Sequence, residues 1–185
     1  RDALGLPDDA SVVITVGEHI PRKNHEVCIS ALSELPGVTL LFCGVGERED
    51  MLRGLAESLG VSDRVFFLGF RKDVPALLKA SDVFLFPSFQ EGLPVSLMEA
   101  MAAGLPCVAS RVRGNADLLA DGMGGRLCAP TDVNGFAEAL RELLADPALR
   151  EAMGEHNLKS IQPYGLPSVM EHMAQLYCDQ LAQGE

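Results

Sequence analysis

Short apolar runs bounded by glycine or proline recur along the first two thirds of the chain, at residues 12–16, 38–43, 65–68, 83–86 and 107–110, with a weaker one near 126–128. Each has the length and the β-branched or aromatic content of a strand, and their largely unbroken apolar character predicts burial on both faces. Between them the apolar residues change to helical spacing. Residues 26–35 carry Val27, Ile29, Leu32 and Leu35, and residues 49–59 carry Met51, Leu52, Leu55 and Leu59. Residues 74–80 make a shorter element, and 95–103 open after Pro94. Strand alternating with helix predicts a doubly wound α/β domain, a parallel sheet with helices on both sides. From Thr131 onward the pattern is helical only. Asp132 is placed to cap a helix over 136–144, Pro147 opens another short one, and Ser168 is placed to cap a last helix bearing Val169, Met173, Leu176 and Leu181. Two prolines and a glycine within 162–167 predict a hinge before that helix.

In a doubly wound sheet, ligands bind beyond the carboxyl ends of the strands. Gly17 follows the first strand, Gly44 and Gly46 the second, Gly69 and Phe70 the third, and residues 88–92 the fourth. Gly44-Val45-Gly46 invites comparison with G-x-G-x-x-G, but position 49 is Glu, and a tight turn with no ligand explains it equally well. More informative is the stretch 87–110, PSFQEGLPVSLMEAMAAGLPCVAS. It sets Glu91 on a loop and Glu99 about a turn and a half inside the following helix, so both can face whatever meets the helix N-terminus. Free N–H groups there suit an anion such as a diphosphate. Leu97, Met98 and Met101 take the core face, while Glu99 shares its face with Val95, Ala102 and Ala103. Two such carboxylates can take hydrogen bonds from sugar hydroxyls, act as an acid and base across a reacting bond, or simply face solvent. Arg22 and Lys23 are the adjacent cations near the rim, either a solvated pair or a phosphate contact. His19 and His25 read as cap or surface residues rather than bases.

Composition narrows this picture. A chain of 185 residues, 48% apolar with mean hydropathy +0.16, can bury a sizeable single core. With 15 basic against 26 acidic residues and a net charge of −11, nucleic acid is not an expected partner, whereas a small phosphorylated ligand needs only a few cations. The five cysteines lie singly, without a C-x-x-C pair, and read as buried free thiols of a reducing compartment. No apolar run reaches the roughly 18 residues of a membrane span, and Arg1-Asp2 does not begin a signal peptide. The expectation is a soluble cytoplasmic protein, with peripheral membrane contact left open. No Ser-His-Asp set, G-x-S-x-G elbow, Walker lysine loop or Asp-x-Asp pair is visible.

Jointly, the Glu91–Glu99 spacing, Glu91-Gly92-Leu93-Pro94, the Glu-Ala-Met-Ala-Ala-Gly-Leu-Pro that follows, Pro87-Ser88, Gly69-Phe70 and the 17–23 block resemble the C-terminal, donor-binding half of retaining GT-B glycosyltransferases of family 4. The resemblance covers nearly the whole chain. It implies a Rossmann-like domain over 1–163, and a segment, 164–185, that crosses back to an N-terminal acceptor domain absent from this sequence. It further implies a nucleotide sugar, UDP- or GDP-linked, whose hexosyl group passes to a glycan or lipid acceptor with retention, by same-face attack and with no required metal or cofactor. Lys23 would hold the diphosphate, Glu99 the ribose, and Glu91 the transferred sugar, making Glu91 and Lys23 the catalytic candidates. Gly17, Arg22 and the run Gly92, Leu93, Pro94 and Val95, through its backbone N–H groups, would complete the donor site, with the base near Phe70 and Arg71.

Two departures stand out. Glu18 occupies the place where many members have an arginine for the diphosphate, so Arg22 would substitute, the chain would belong with Gly-Glu variants of surface-polysaccharide assembly, or activity would be reduced. Asn24 stands where many members have glycine. The resemblance also implies that the chain is inactive alone, that a full-length enzyme can associate peripherally with membrane, and that the last helix can pair with a second copy. A sugar-nucleotide epimerase of GT-B type would need hydrolytic acid–base residues not found here, and a non-catalytic nucleotide-binding module is the alternative from another class.

Overall fold

The computed structural model describes residues 1–182. Six strands form one sheet: β1 (Ser11–Val16), β2 (Val38–Cys43), β3 (Val65–Phe67), β4 (Val83–Phe86), β5 (Cys107–Ser110) and β6 (Gly125–Cys128). Every strand pairing is parallel, in the order β3-β2-β1-β4-β5-β6, and Ile14 of β1 sits beside Leu41 on one side and Phe84 on the other. The fold is therefore the doubly wound, Rossmann-like α/β architecture that the alternation of elements predicts.

Successive residues of each central strand feed two separate cores, because side chains alternate across a sheet. Val13, Leu40, Phe42, Val83, Leu85 and Val108 face one side, whereas Val12, Ile14, Leu41, Phe84, Phe86 and Ala109 face the other. The first side is covered by α1 (His25–Ser33), α2 (Glu49–Ser58), α6 (Val133–Ala145) and α7 (Pro147–Ser160), through Ile29, Leu52, Phe136 and Met153. The second is covered by α3 (Val74–Ala80) and α4 (Val95–Ala102), through Leu77, Leu78, Leu97 and Met101. A short α5 (Arg113–Ala116) and the long α8 (Leu166–Ala182) complete the described chain.

Some local expectations are corrected. The buried face of α2 is Leu52 and Ala56, while Met51 and Leu59 are exposed, because the core-facing ridge is narrower than the apolar set. The helix opened by Pro147 is long, with 14 residues, and Asp146 caps it by accepting from the Leu149 N–H at 3.0 Å. Asp132 caps α6 as expected, accepting from the Gly135 N–H at 2.9 Å. Ser168 does not cap α8, which begins at Leu166; its hydroxyl donates back to the Gln162 carbonyl at 3.1 Å. Cys28, Cys43 and Cys107 are buried free thiols, but Cys178 is exposed on α8. Among the described residues no helix is long and apolar enough to cross a membrane.

The strand order positions the site. The chain winds from β1 outward to β2 and β3, then returns to place β4 on the other side of β1. Loops leaving the carboxyl ends of β1 and β4 therefore diverge and leave a crevice between them.

Candidate functional site

The loop after β1 runs through Gly17 into a single 3-10 turn over Pro21–Lys23, and the loop after β4 runs from Pro87 to Pro94. They meet at the crevice. Lys23 Nζ lies 2.7 Å from Glu91 Oε1, and the Arg22 guanidinium lies 3.7 Å from Glu91 Oε2. Glu91 keeps only 6% of its side-chain surface exposed and Lys23 13%, so this pair is largely withdrawn from water, whereas Arg22 is half exposed. The ammonium also stands 4.7 Å above the Phe86 ring, which favours a cation there. A lysine ammonium has three protons, so one can stay on Glu91 while others reach an incoming anion.

Backbone bonds fasten the two loops together. The Phe89 N–H donates to the Arg22 carbonyl at 2.9 Å, and the Arg22 guanidinium returns a bond to the Gln90 carbonyl at 3.1 Å. From below, the Ser110 hydroxyl donates to the Ser88 carbonyl, and the Asn115 amide donates to the Ser110 carbonyl and hydroxyl, each at 3.0 Å. Gly114 lies directly beneath: a Cβ there would stand 2.2 Å from the Gly92 carbonyl oxygen and 2.6 Å from that of Glu91. Only glycine allows the loop to rest so low. These supports were not legible in the sequence, because α5 is too short to leave a periodic pattern.

Gly92, Leu93 and Pro94 lead into α4, whose first turn has no side-chain cap. Its opening N–H groups are thus available to an anion at the crevice. Leu93 and Val95 are exposed at this rim. Glu99 is exposed on α4, bordering one groove toward Pro75, Leu78 and Lys79 and another shared with Val95 and Met98 toward Ile161, Tyr164 and Leu166. Among the described residues its carboxylate makes no hydrogen bond or ion pair.

On the other side of β1 a cleft of about 280 Å³ is lined by Gly17, Glu18, Gly44, Val45, Phe70 and Arg71. Gly44 permits the close approach of the loops, since a Cβ there would stand 2.0 Å from the Gly17 carbonyl oxygen. Phe70, at the cleft, is 76% exposed, and Arg71 is paired with Asp73 at 2.6 Å. That pairing, through hydrogen bonds first, holds the Asp73 carboxyl below and the Arg71 guanidinium above its ordinary range.

His19 and His25 are not surface or cap residues. Both are buried beneath the β1 loop, packed edge-on against Phe42, with ring centroids 5.3 Å from each other. Burial lowers both pKa values, that of His25 to about 3, with the charges of His19 and Lys23 adding to the effect. Neutral imidazoles filling an aromatic cluster are what the site stands on. Among the described residues no group of three His, Cys, Asp or Glu side chains comes together as a metal site would require.

This crevice, at the turning point of a doubly wound sheet, with a buried lysine–carboxylate pair before an uncapped helix, is that of a glycosyltransferase domain. Residues 1–160 match the model of the family described as glycosyl transferases group 1, and the chain belongs to that family. It is 38% identical over 161 residues to the lipopolysaccharide core biosynthesis glycosyltransferase LpsE of Rhizobium meliloti, a match covering 87% of this chain and 47% of LpsE. It is 34% identical to the lipopolysaccharide glucosyltransferase WaaG of Escherichia coli, covering 90% of this chain and 47% of WaaG. Among solved structures, HepE of Anabaena in complex with UDP superposes with a TM-score of 0.90 at 26% identity, over 97% of this chain and 51% of HepE. The chain thus spans about half the length of these relatives, and its fold is that of one half of a GT-B glycosyltransferase.

Proposed function

We propose that this chain is the donor-binding half of a retaining glycosyltransferase of family 4 that takes a hexosyl group from a nucleotide sugar to a glycan or lipid acceptor in the cytoplasm. The observation that carries the reading is the buried Lys23–Glu91 pair facing the uncapped α4. Lys23 and the α4 N–H groups hold the diphosphate and neutralise the charge that grows on it as the sugar leaves. Glu91, oriented by Lys23, accepts from hydroxyls of the transferred sugar. The base enters the Gly17–Phe70–Arg71 cleft, and Glu99 takes the ribose. Complexes of HepE with UDP and with UDP-glucose favour uridine over guanosine as the base. Arg22 serves as the second cation, because Glu18 at the cleft lining brings a carboxylate where a cation would be of use.

In this reading residues 1–163 form the donor domain, while 164–185 cross to an acceptor domain that this chain does not supply, so the chain alone does not transfer sugar. Isothermal titration with UDP, GDP and pyrophosphate tests the assignment. Lys23→Ala removes a charge-assisted contact of roughly 1.5–3 kcal/mol and should weaken both UDP and pyrophosphate at least tenfold. Glu99→Ala should weaken UDP but leave pyrophosphate unchanged. If neither UDP nor GDP binds the unmodified chain at millimolar concentration, the reading fails.

A further inference from the structure

Asn24 is the single non-glycine residue with positive φ among the described residues (φ 55°, ψ 38°). It both ends the 3-10 turn that carries Lys23, its N–H donating to the Pro21 carbonyl at 3.1 Å, and precedes the first turn of α1. Glycine would meet the backbone requirement at no steric cost, so the side chain needs its own reason. That reason is visible in its amide. Asn24 is buried, and Nδ2 donates to the Pro87 carbonyl at 3.0 Å and to the Pro130 carbonyl at 2.8 Å. Both acceptors belong to prolines, which have no N–H and can be tethered through backbone bonds only by their carbonyls. One amide group thus joins the Lys23 loop, the start of the Glu91 loop and the segment after β6.

We infer that Asn24 is a positioning residue for the diphosphate contact, its amide clamp setting where Lys23 Nζ stands relative to the Glu91 loop. The inference rests on the donor-site reading. The clamp acts through Lys23 and does not touch the ligand, which gives it a distinctive signature. Loss of the amide should weaken ligands that carry a diphosphate and leave the bare nucleoside alone. The chemistry also ranks the variants. Asn24→Gly retains the left-handed backbone and deletes both bonds. Asn24→Asp keeps the shape but turns carboxylate oxygens toward two carbonyl oxygens, and should be worse than glycine.

The test is the affinity of this chain for UDP and for uridine, measured by titration and by ligand-observed NMR. Asn24→Gly should lower UDP affinity about five- to tenfold with uridine unchanged, and Asn24→Asp should lower it further. In a Lys23→Ala background the same Asn24→Gly change should have no additional effect on UDP, as coupling through one contact requires. Amide exchange at Phe89, bonded to the Arg22 carbonyl, should accelerate in Asn24→Gly, a readout that stands even if Asn24→Asp fails to fold. Equal losses for UDP and uridine, an undiminished effect in the Lys23→Ala background, or a lowered melting temperature with unchanged affinities would each overturn the inference. If the unmodified chain binds neither UDP nor GDP, the donor-site reading falls and takes this inference with it; if UDP binds normally and Asn24→Gly leaves the ratio of affinities unchanged, the inference falls alone.

Discussion

The crevice between β1 and β4 and the helix α8 are opposite cases of how polar and apolar groups are disposed. At the crevice, the Lys23–Glu91 pair is largely buried and the supporting loops are bonded to one another: Lys23 to Glu91, Asn24 to Pro87, Ser110 to Ser88. Along α8, apolar side chains are exposed: Leu166, Met170, Leu176, Tyr177 and Leu181 all stand more than 60% in solvent. The crevice is built entirely from groups within this chain. Among the described residues, nothing covers these apolar side chains of α8. The two regions therefore follow different rules: the first is tied together by bonds between its own loops, the second carries apolar side chains that its own chain leaves uncovered.

The largest expected effect is at the base of the crevice. Gly114→Ala drives a methyl group into the Glu91 and Gly92 carbonyls, which are backbone and cannot rotate away. Overpacking of this kind costs about 1–3 kcal/mol, and because the displaced loop carries Glu91, nucleotide affinity should drop along with the denaturation midpoint. A loss of stability with affinity intact would separate Gly114 from the site.

Acid should loosen the same region by degrees. His25 has its pKa lowered to about 3 by burial, against 6.5 when unfolded, so its stabilising contribution is full above pH 6.5 and is lost as pH falls toward 3. Over that window it contributes a slope of about 1.4 kcal/mol per pH unit. Burial lowers the pKa of His19 too, adding to the slope in the same direction. His25→Phe, placed in a cluster that already holds Phe42 and Phe67, should flatten the dependence between pH 6.5 and 4.5 in urea denaturation. An unchanged slope would show that the imidazole is not held neutral.

The smallest effect belongs to α8. Deleting residues 166–185 removes exposed side chains and should change the stability of the remaining domain by about 0.5 kcal/mol or less, leaving UDP affinity unchanged. Sedimentation should show any self-association of the chain reduced, since the apolar stripe is gone. A large stability loss would erase the contrast between the two regions.

Reading the fold from sequence succeeded where burial is two-sided. Residues 38–43, 83–86 and 107–110 coincide with β2, β4 and β5, because a strand flanked by other strands and covered by helices on both faces is apolar at nearly every position. Reading failed where a residue's setting depends on distant chain. His19 and His25 look polar in sequence, yet an aromatic floor supplied by β2 and β3 buries them. Asn24 stands out in sequence only as a departure from glycine, and its amide bridges to Pro87 and Pro130, residues 63 and 106 positions away. Of the candidate site, Glu91 is legible from its spacing to Glu99 and Lys23 as a cation at the rim; their contact across 68 positions is not.

By itself, then, the sequence determined the class of the domain: which runs are strands, which helices cover them, and which loops carry glycines, cations and carboxylates at the rim. Those properties are local, set by side-chain period and backbone preference within about ten residues. Only the tertiary structure decided that β4 lies beside β1, and with it that Lys23 meets Glu91 and that Asn24 bonds to both Pro87 and Pro130. Those facts depend on the order in which strands pair, and strand order is an outcome of global packing that no local pattern encodes.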